Sequence, residues 1–227
     1  MFGQGFNYGF LGGPPCFTDT TDIFKDNSGV ALYTLDYDAS DSGNATGKFG
    51  EAAIFNGSSS EINISGILSG ITNTFSFSCW FKVSDSSKSF CVFDDGGASS
   101  SNLIQFIPSH SSGNYFISFG TSSNRLTGVR PSSFIDGNWH HMVVTKSSNT
   151  LKFYVDNTLI SEDTSHTDSV SGLSNAQIGN YSSNFSDGAI DEVRVFDKAL
   201  DETEVGTLYA ETKNTTNTLQ ILGDTSC

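Results

Sequence analysis

The sequence predicts an all-β protein, an antiparallel two-sheet β-sandwich with one short helix near the C-terminal end. Three observations point there. Apolar residues recur at every second position in a series of short runs, the spacing of strands that bury one face. Clusters of Gly, Ser, Asn and Asp separate the runs, and these residues favour turns because they tolerate positive φ or bond their own backbone. The chain also carries 19 phenylalanines to fill a core and almost no helical periodicity. At 227 residues it can bury a sizeable core and stays within the length of one sandwich domain.

Residues 1–29 read as an arm. "MFGQGFNYGFLGGPPCF" is rich in Gly and aromatic residues and poor in charge, which suits an extended segment whose rings pack onto another surface or fold back over its own sandwich. The sandwich proper spans 30–211, and 212–227 form a tail. In "TFSFSCWFKV" the alternation puts Phe75, Phe77, Cys79, Phe81 and Val83 on one face, with Ser76, Ser78, Trp80 and Lys82 on the other. Strands are also expected in "SFCVFDD", "NLIQFI", "NYFISFG", "HHMVVT", "LKFYVD" and "AIDEVRVF". Asp156-Asn157 reads as a two-residue hairpin loop, because Asn accepts the positive φ such loops require. In "LDETEVGTLYA", Asp201 can cap a helix and Glu204, three residues on, completes a capping box.

Charge and cysteines bound the function. With 25 acidic residues against 11 basic ones, a net charge of -14 and a pI near 4.3, the surface repels phosphate backbones and anionic lipid, so neither nucleic acid nor a membrane is an expected partner. Calcium, bound by Asp, Asn and carbonyl oxygens, is compatible. No run approaches the roughly 20 apolar residues of a membrane span, and the start lacks a conventional secretion signal; a native start at Met1 implies synthesis in a cytoplasm. Cys79 and Cys91 lie in apolar runs and read as small buried hydrophobes, whereas Cys16 and Cys227 flank the domain and could bridge.

"GNWHHMVVT" holds two adjacent histidines. On a strand Trp139, His141 and Val143 point one way and His140, Met142 and Val144 the other, so the pair cannot chelate one ion from a single face. Trp139 and His141 are assigned to structure, and His110 and His166 to solvated polar loops. Asp191, beside Val193 and Val195, is expected on a mostly apolar face, where a carboxylate must be paired, hydrogen-bonded or metal-bound. Ligand residues are expected on loops at one rim. "FDDGGASSSN" offers Asp94, Asp95 and Asn102, and "GNYFISFGTSSNRL" offers Asn114, Tyr115, Asn124 and Arg125, the amide, carboxylate, guanidinium and aromatic groups that sugars need.

Six ordered blocks carry a family resemblance: "ALYTLDYDASDSGNATGKFGEAAIFNGSSSEINI", "FSFSCWFKV", "GNWHHMVVT", "LKFYVDNTLI", "AQIGN" and "GAIDEVRVFDKALDETEV". Over about residues 30 to 211 the chain resembles the concanavalin A-like, laminin-G-type jelly roll in its bacterial and viral form. The family usually has Gly where this chain has Asn157, and Asn suits the same turn. The resemblance implies a jelly roll and a carbohydrate-binding or adhesive module, with Trp-His-His as a recurrent strand motif. It also implies a structural calcium on the Ile-Asp-Glu-Val strand, at Asp191, with Asp41 and Asn44 as co-ligands. Laminarinase-type relatives place Glu-x-Asp-x-x-Glu or Glu-x-Asp-x-Glu on one strand; no such pattern occurs here, and Asp191 and Glu192, being adjacent, should face opposite ways, so no enzyme is expected. In general arrangement, an aromatic arm ahead of one lectin-like jelly roll resembles tailed-phage structural proteins. That implies a virion component, a decoration, fibre or tail-associated protein. Its expected partners are other virion proteins through the arm, a homo-oligomer or larger assembly, and host cell-surface glycans. A free bacterial lectin at the cell surface is the alternative, and a polysaccharide hydrolase the second.

Overall fold

The computed structural model describes residues 23–35, 44–64, 66, 68, 71, 73–95 and 101–212. Its strands are Gly29–Tyr33 (β1), Asn44–Thr46 (β2), Glu51–Asn56 (β3), Ile62–Asn63 (β4), Phe75–Lys82 (β5), Phe93–Asp95 (β6), Ser101–Ile107 (β7), Asn114–Thr121 (β8), Arg125–Val129 (β9), His140–Ser147 (β10), Thr150–Val155 (β11), Thr158–Asp163 (β12), Gln177–Ile178 (β13), Asn180–Tyr181 (β14), Asn184–Phe185 (β15) and Asp187–Phe196 (β16). A 3-10 turn at Ser132–Ile135 precedes β10, and one helix, Glu202–Tyr209 (α1), follows β16. Strands pair in the order β12-β11-β10-β5-β16-β3-β2, with β1 also on β16, in one sheet. The second sheet runs β4-β13-β6-β7-β8-β9, and β14-β15 form a separate hairpin. Every expected strand run contains a strand, although in "SFCVFDD" only Phe93–Asp95 is one, and the two antiparallel sheets make the jelly-roll sandwich.

The sheets meet through the inward sets read from the sequence. Phe75, Phe77, Cys79, Phe81 and Val83 of the first sheet pack with Phe93, Ile104, Phe106, Ile117 and Phe119 of the second. Phe77 sits near the centre, its ring 5.0 Å from Phe93 and 5.3 Å from Phe106, within the range where aromatic pairs add to area burial. Cys79 and Cys91 are buried free thiols, as read. The Cys16 and Cys227 reading lies outside the described residues, as do residues 1–22 of the arm and 213–227 of the tail.

The first sheet is not half-buried, as its alternation suggested, but covered on both sides. Its outer face lies under α1 and residues 23–28. Val143, Tyr154 and Phe196 pack there with Leu200, Val205 and Leu208, and Ile23 and Phe24 join them. Ser76 and Ser78 are therefore buried, and they bond accordingly. The Ser76 hydroxyl donates to the Lys198 carbonyl (2.7 Å) and accepts from the Leu200 amide (2.9 Å), fixing the turn into α1. Asp201 caps that helix and forms the expected capping box with Glu204. Residues 23–28, read as the end of the arm, pack on this face, with Phe24 5.5 Å from Phe196.

A bulge changes the reading of β16. Asp191 pairs with Trp80 and Arg194 with Ser78, so two residues, Glu192 and Val193, stand opposite the single Cys79. Glu192 has φ 53, and the extra residue resets the alternation. Val193 and Val195 enter the core, while Asp191 turns outward with Trp80. The expectation that Asp191 shares the face of the two valines is corrected on this ground. The β11–β12 hairpin is as read: Val155 pairs with Thr158, and Asp156 and Asn157 have φ 50 and 59.

Candidate functional site

The outer face of the second sheet carries a register-aligned polar row. Asn63 pairs with Gln177, Gln177 with Asp94, Asp94 with Gln105, Gln105 with Ser118, and Ser118 with Arg125. Their chain neighbours Ile62, Phe93, Ile104, Phe106, Ile117, Phe119, Leu126 and Ile178 fill the core, so strand alternation turns the row outward. Six neighbouring strands about 4.8 Å apart give a row roughly 24 Å long. The Gln105 side-chain amide donates to Asp94 Oδ1 at 2.9 Å. Ser118 is buried, and its hydroxyl has no hydrogen-bond partner among the described residues.

Next to the row lies an aromatic position. Phe116, two residues before Ser118 on the same face, carries the Arg125 guanidinium 3.8 Å from its ring centre and the His110 ring at 4.6 Å. Thr127 pairs with Phe116, and exposed Val129 pairs with Asn114, extending the face toward the edge strand. At the opposite end the β14–β15 hairpin stands over β6. There burial and nearby Cys91 and Asp94 raise the Tyr181 phenol above its ordinary range, with a bond from Ser89 opposing them.

Of the residues expected to bind ligand, Asp94, Asn114 and Arg125 share this face, although Asp94 is itself buried beside Gln105. Asp95 and Tyr115 point the other way. Asp95 is buried and accepts the Asn175 amide at 3.1 Å, and burial holds its carboxyl above the usual range. Tyr115 packs in the core, 5.2 Å from the Phe153 ring. Asn102 and Asn124 organise loops. The Asn102 side chain exchanges two bonds with the Ser171 backbone (2.9 and 2.8 Å), and the Asn124 carbonyl lies 3.0 Å from His166 Nε2. "NYFISFG" forms β8 as expected, and Arg125, offered as a loop residue, begins the paired strand β9. Gln105, Phe116, Ser118 and Gln177 were missed because only register, not alternation, shows that they line up.

The histidines separate by face as expected. His141 lies on the outer side of the first sheet, 2.9 Å from the Ser78 hydroxyl and 5.0 Å from the Trp80 ring. Burial, with Arg194 and Lys48 nearby, pushes it down to about 3, so it is neutral. His140 bridges two carboxylates, Asp156 at Nδ1 (2.6 Å) and Asp136 at Nε2 (3.0 Å). Trp139 is half-buried and precedes β10, outside both core clusters. His166 departs from its reading as a solvated loop residue: it is fully buried, and its carbonyl accepts from Lys146 Nζ at 3.1 Å.

For the calcium reading, Asp41 lies outside the described residues and Asn44 is described only as backbone in β2. Asp191 Oδ2 accepts the Phe49 amide at 3.0 Å, and the position a Cβ on Gly47 would take lies 2.7 Å from that oxygen and against the Glu51 carbonyl. Two oxygens thus converge beside Gly47. Among the described residues no group of three or more His, Cys, Asp or Glu is placed to hold a metal.

A sandwich with a polar, aromatic-flanked outer sheet defines a lectin-like jelly roll. The chain belongs to the Concanavalin A-like lectin/glucanases superfamily, whose laminin-G-type model matches residues 56–206. Among curated proteins no sequence matches. In solved structures it is similar to domain 4 of AbnA, a GH43 extracellular arabinanase from Geobacillus stearothermophilus, in complex with arabinotriose. That likeness has 26% identity and a TM-score of 0.62, and covers 82% of this chain and 91% of that one. It is also similar to the binding domain of Paraclostridial Mosquitocidal Protein 1 (12% identity, TM-score 0.58, 80% of this chain and 47% of that one) and to the binding domain of botulinum neurotoxin serotype D (13%, 0.56, 79% and 45%). At these identities the two toxins show the fold alone, and the chain spans less than half of theirs.

Proposed function

We propose that this chain is a non-catalytic glycan-binding jelly roll that engages a sugar chain along the outer face of its second sheet. The observation that carries this is the register-aligned set of the Gln177 and Gln105 amides and the Arg125 guanidinium, all partly exposed, beside Phe116. Sugar hydroxyls can bond the exposed members of the row, while an apolar sugar face rests on the ring and its stacked guanidinium. The arabinotriose complex of the 26% identical domain supports a saccharide as the ligand. The non-catalytic reading is supported by Asp191 and Glu192. Both are buried on the covered sheet, Asp191 bonded to the Phe49 amide and Glu192 beside Arg194, away from the proposed ligand face.

The setting we propose is a virion surface, with the jelly roll outward and the part of the arm ahead of Ile23 docking on other virion proteins in an oligomeric assembly. The composition of that arm supports it. A structural calcium at Asp191, with Asp41 and Asn44, would brace the turn between β2 and β3. Calorimetric titration of the full chain with arabinotriose and other neutral oligosaccharides tests the central claim. Gln105→Ala and Arg125→Ala should each weaken the best ligand by about tenfold, the scale of one good polar contact. Unchanged affinity in both variants would remove the face from consideration.

A further inference from the structure

Beyond the sheet face, and resting on the glycan-binding reading, we infer that a cleft at one rim of the sandwich is a second saccharide site, built for the end of an uncharged sugar chain. Four segments converge on it. Gly57 and Ser58 come from the β3–β4 loop, Ser87, Lys88 and Ser89 from the segment after β5, Ser111 from the β7–β8 turn, and Asn184 and Phe185 from the β14–β15 hairpin. The space is open to solvent and measures about 390 Å³, within the roughly 300–1,000 Å³ of ligand clefts.

Each wall is fixed before any ligand arrives. In the first loop Asn56 Oδ1 accepts the amides of Ser58, Ser59 and Ser60 at 2.9, 2.9 and 3.2 Å. The hairpin is clamped to the segment before β6 by a buried serine: the Ser186 hydroxyl donates to the Cys91 carbonyl (2.9 Å) and accepts the Cys91 amide (2.8 Å). At the hairpin tip Ser182 and Ser183 hold φ 47 and 64, values that cost non-glycine residues energy and are kept where the surroundings enforce them. Asn184 secures the tip by donating to the Tyr181 and Ser182 carbonyls. The Ser111 amide donates to the Ser89 hydroxyl (3.1 Å), joining the other two walls. Preorganised walls of this kind spare a ligand the cost of ordering them.

The lining chooses the chemistry. Ser58, Ser87, Ser89 and Ser111 offer hydroxyls, Asn184 an amide, and Phe185, half-exposed, a ring for an apolar sugar face. Lys88 is the charged residue of the lining, and it is already matched: its ammonium lies 3.5 Å from Asp187 and 3.3 Å from the Gly57 carbonyl. Gly57 has φ 69, and a side chain there would collide with Lys88 Nζ, so glycine is what lets the ammonium reach the wall. With that charge balanced and a net -14 on the whole chain, a neutral polyol fits and a uronic acid does not.

The test is amide chemical-shift mapping on the labelled full chain with arabinotriose, laminaritriose and trigalacturonate, in the native protein and in Phe185→Ala, Lys88→Met and Arg125→Ala. A neutral trisaccharide should shift Ser58, Ser89, Ser111 and Asn184 together. Phe185→Ala or Lys88→Met should weaken that set about tenfold and leave the Gln105 and Ser118 shifts intact, while Arg125→Ala does the reverse. Shifts confined to the sheet face, or preference of the cleft for trigalacturonate, overturn the cleft and leave the sheet-face reading standing. No shift at either place with either neutral trisaccharide overturns both.

Discussion

His140 and His141 are neighbours with opposite electrostatics, and acid titration should separate them. His140 is held above its ordinary value, chiefly by its bond to Asp156 and secondarily by Asp136, against a burial penalty. Its folded value exceeds its unfolded one, so its contribution is complete below the unfolded value of 6.5 and disappears as pH rises through the folded value. His141 is depressed to about 3, chiefly by burial. Its contribution is complete above 6.5 and is lost as pH falls from there toward about 3, because the unfolded chain takes up the proton first. Urea denaturation from about pH 5 to about pH 8 should therefore show His140→Gln losing stability mainly at the acid end of that range, and His141→Gln falling less steeply with acid than the native chain. Parallel curves for all three proteins would mean that neither ring is coupled to folding as its contacts imply.

Among the elements, α1 is the clearest test of local signals. It has only eight residues, too short to hold alone in water, so its cap and its packing decide its stability. Asp201→Ala removes the side-chain acceptor for the Glu204 amide and should cost about 1 kcal/mol. Asn157→Gly should be near neutral, since φ 59 suits either residue, whereas Asn157→Val should be clearly destabilising in the same melts. These features were legible because each is a local signal, a cap three residues from its partner or a turn two residues long. The strands were legible for the same reason. The bulge at Glu192 was not, because nothing in "AIDEVRVF" marks which residue is extra, and the choice is made by Cys79 across the ladder. Nor was the polar row, whose members lie on six strands between Asn63 and Gln177 and meet only through register.

At the scale of the whole molecule, three layers divide the labour. The first sheet is sealed by α1 on one side and by the second sheet on the other, so Ser76 and Ser78, which alternation sets opposite the core face, are interior together with Trp80, His141 and Arg194. Arg194 shows the consequence: its guanidinium binds Glu211 through two contacts of 2.6 and 2.9 Å and approaches Glu192 at 3.5 Å, all beneath the covered face. The outer side of the second sheet is the face proposed for the ligand, and the chain as a whole carries a net charge of -14. Self-repulsion at that charge opposes compaction, and salt screens it over a Debye length of about 8 Å at physiological ionic strength. Thermal stability should therefore rise as sodium chloride is added up to about 0.5 M. Affinity for a neutral oligosaccharide should stay flat over the same range, because hydroxyl contacts release no counterions. Affinity that falls steeply with salt would instead mark an ion-paired ligand, and the proposed match between an uncharged sugar and this face would have to be abandoned.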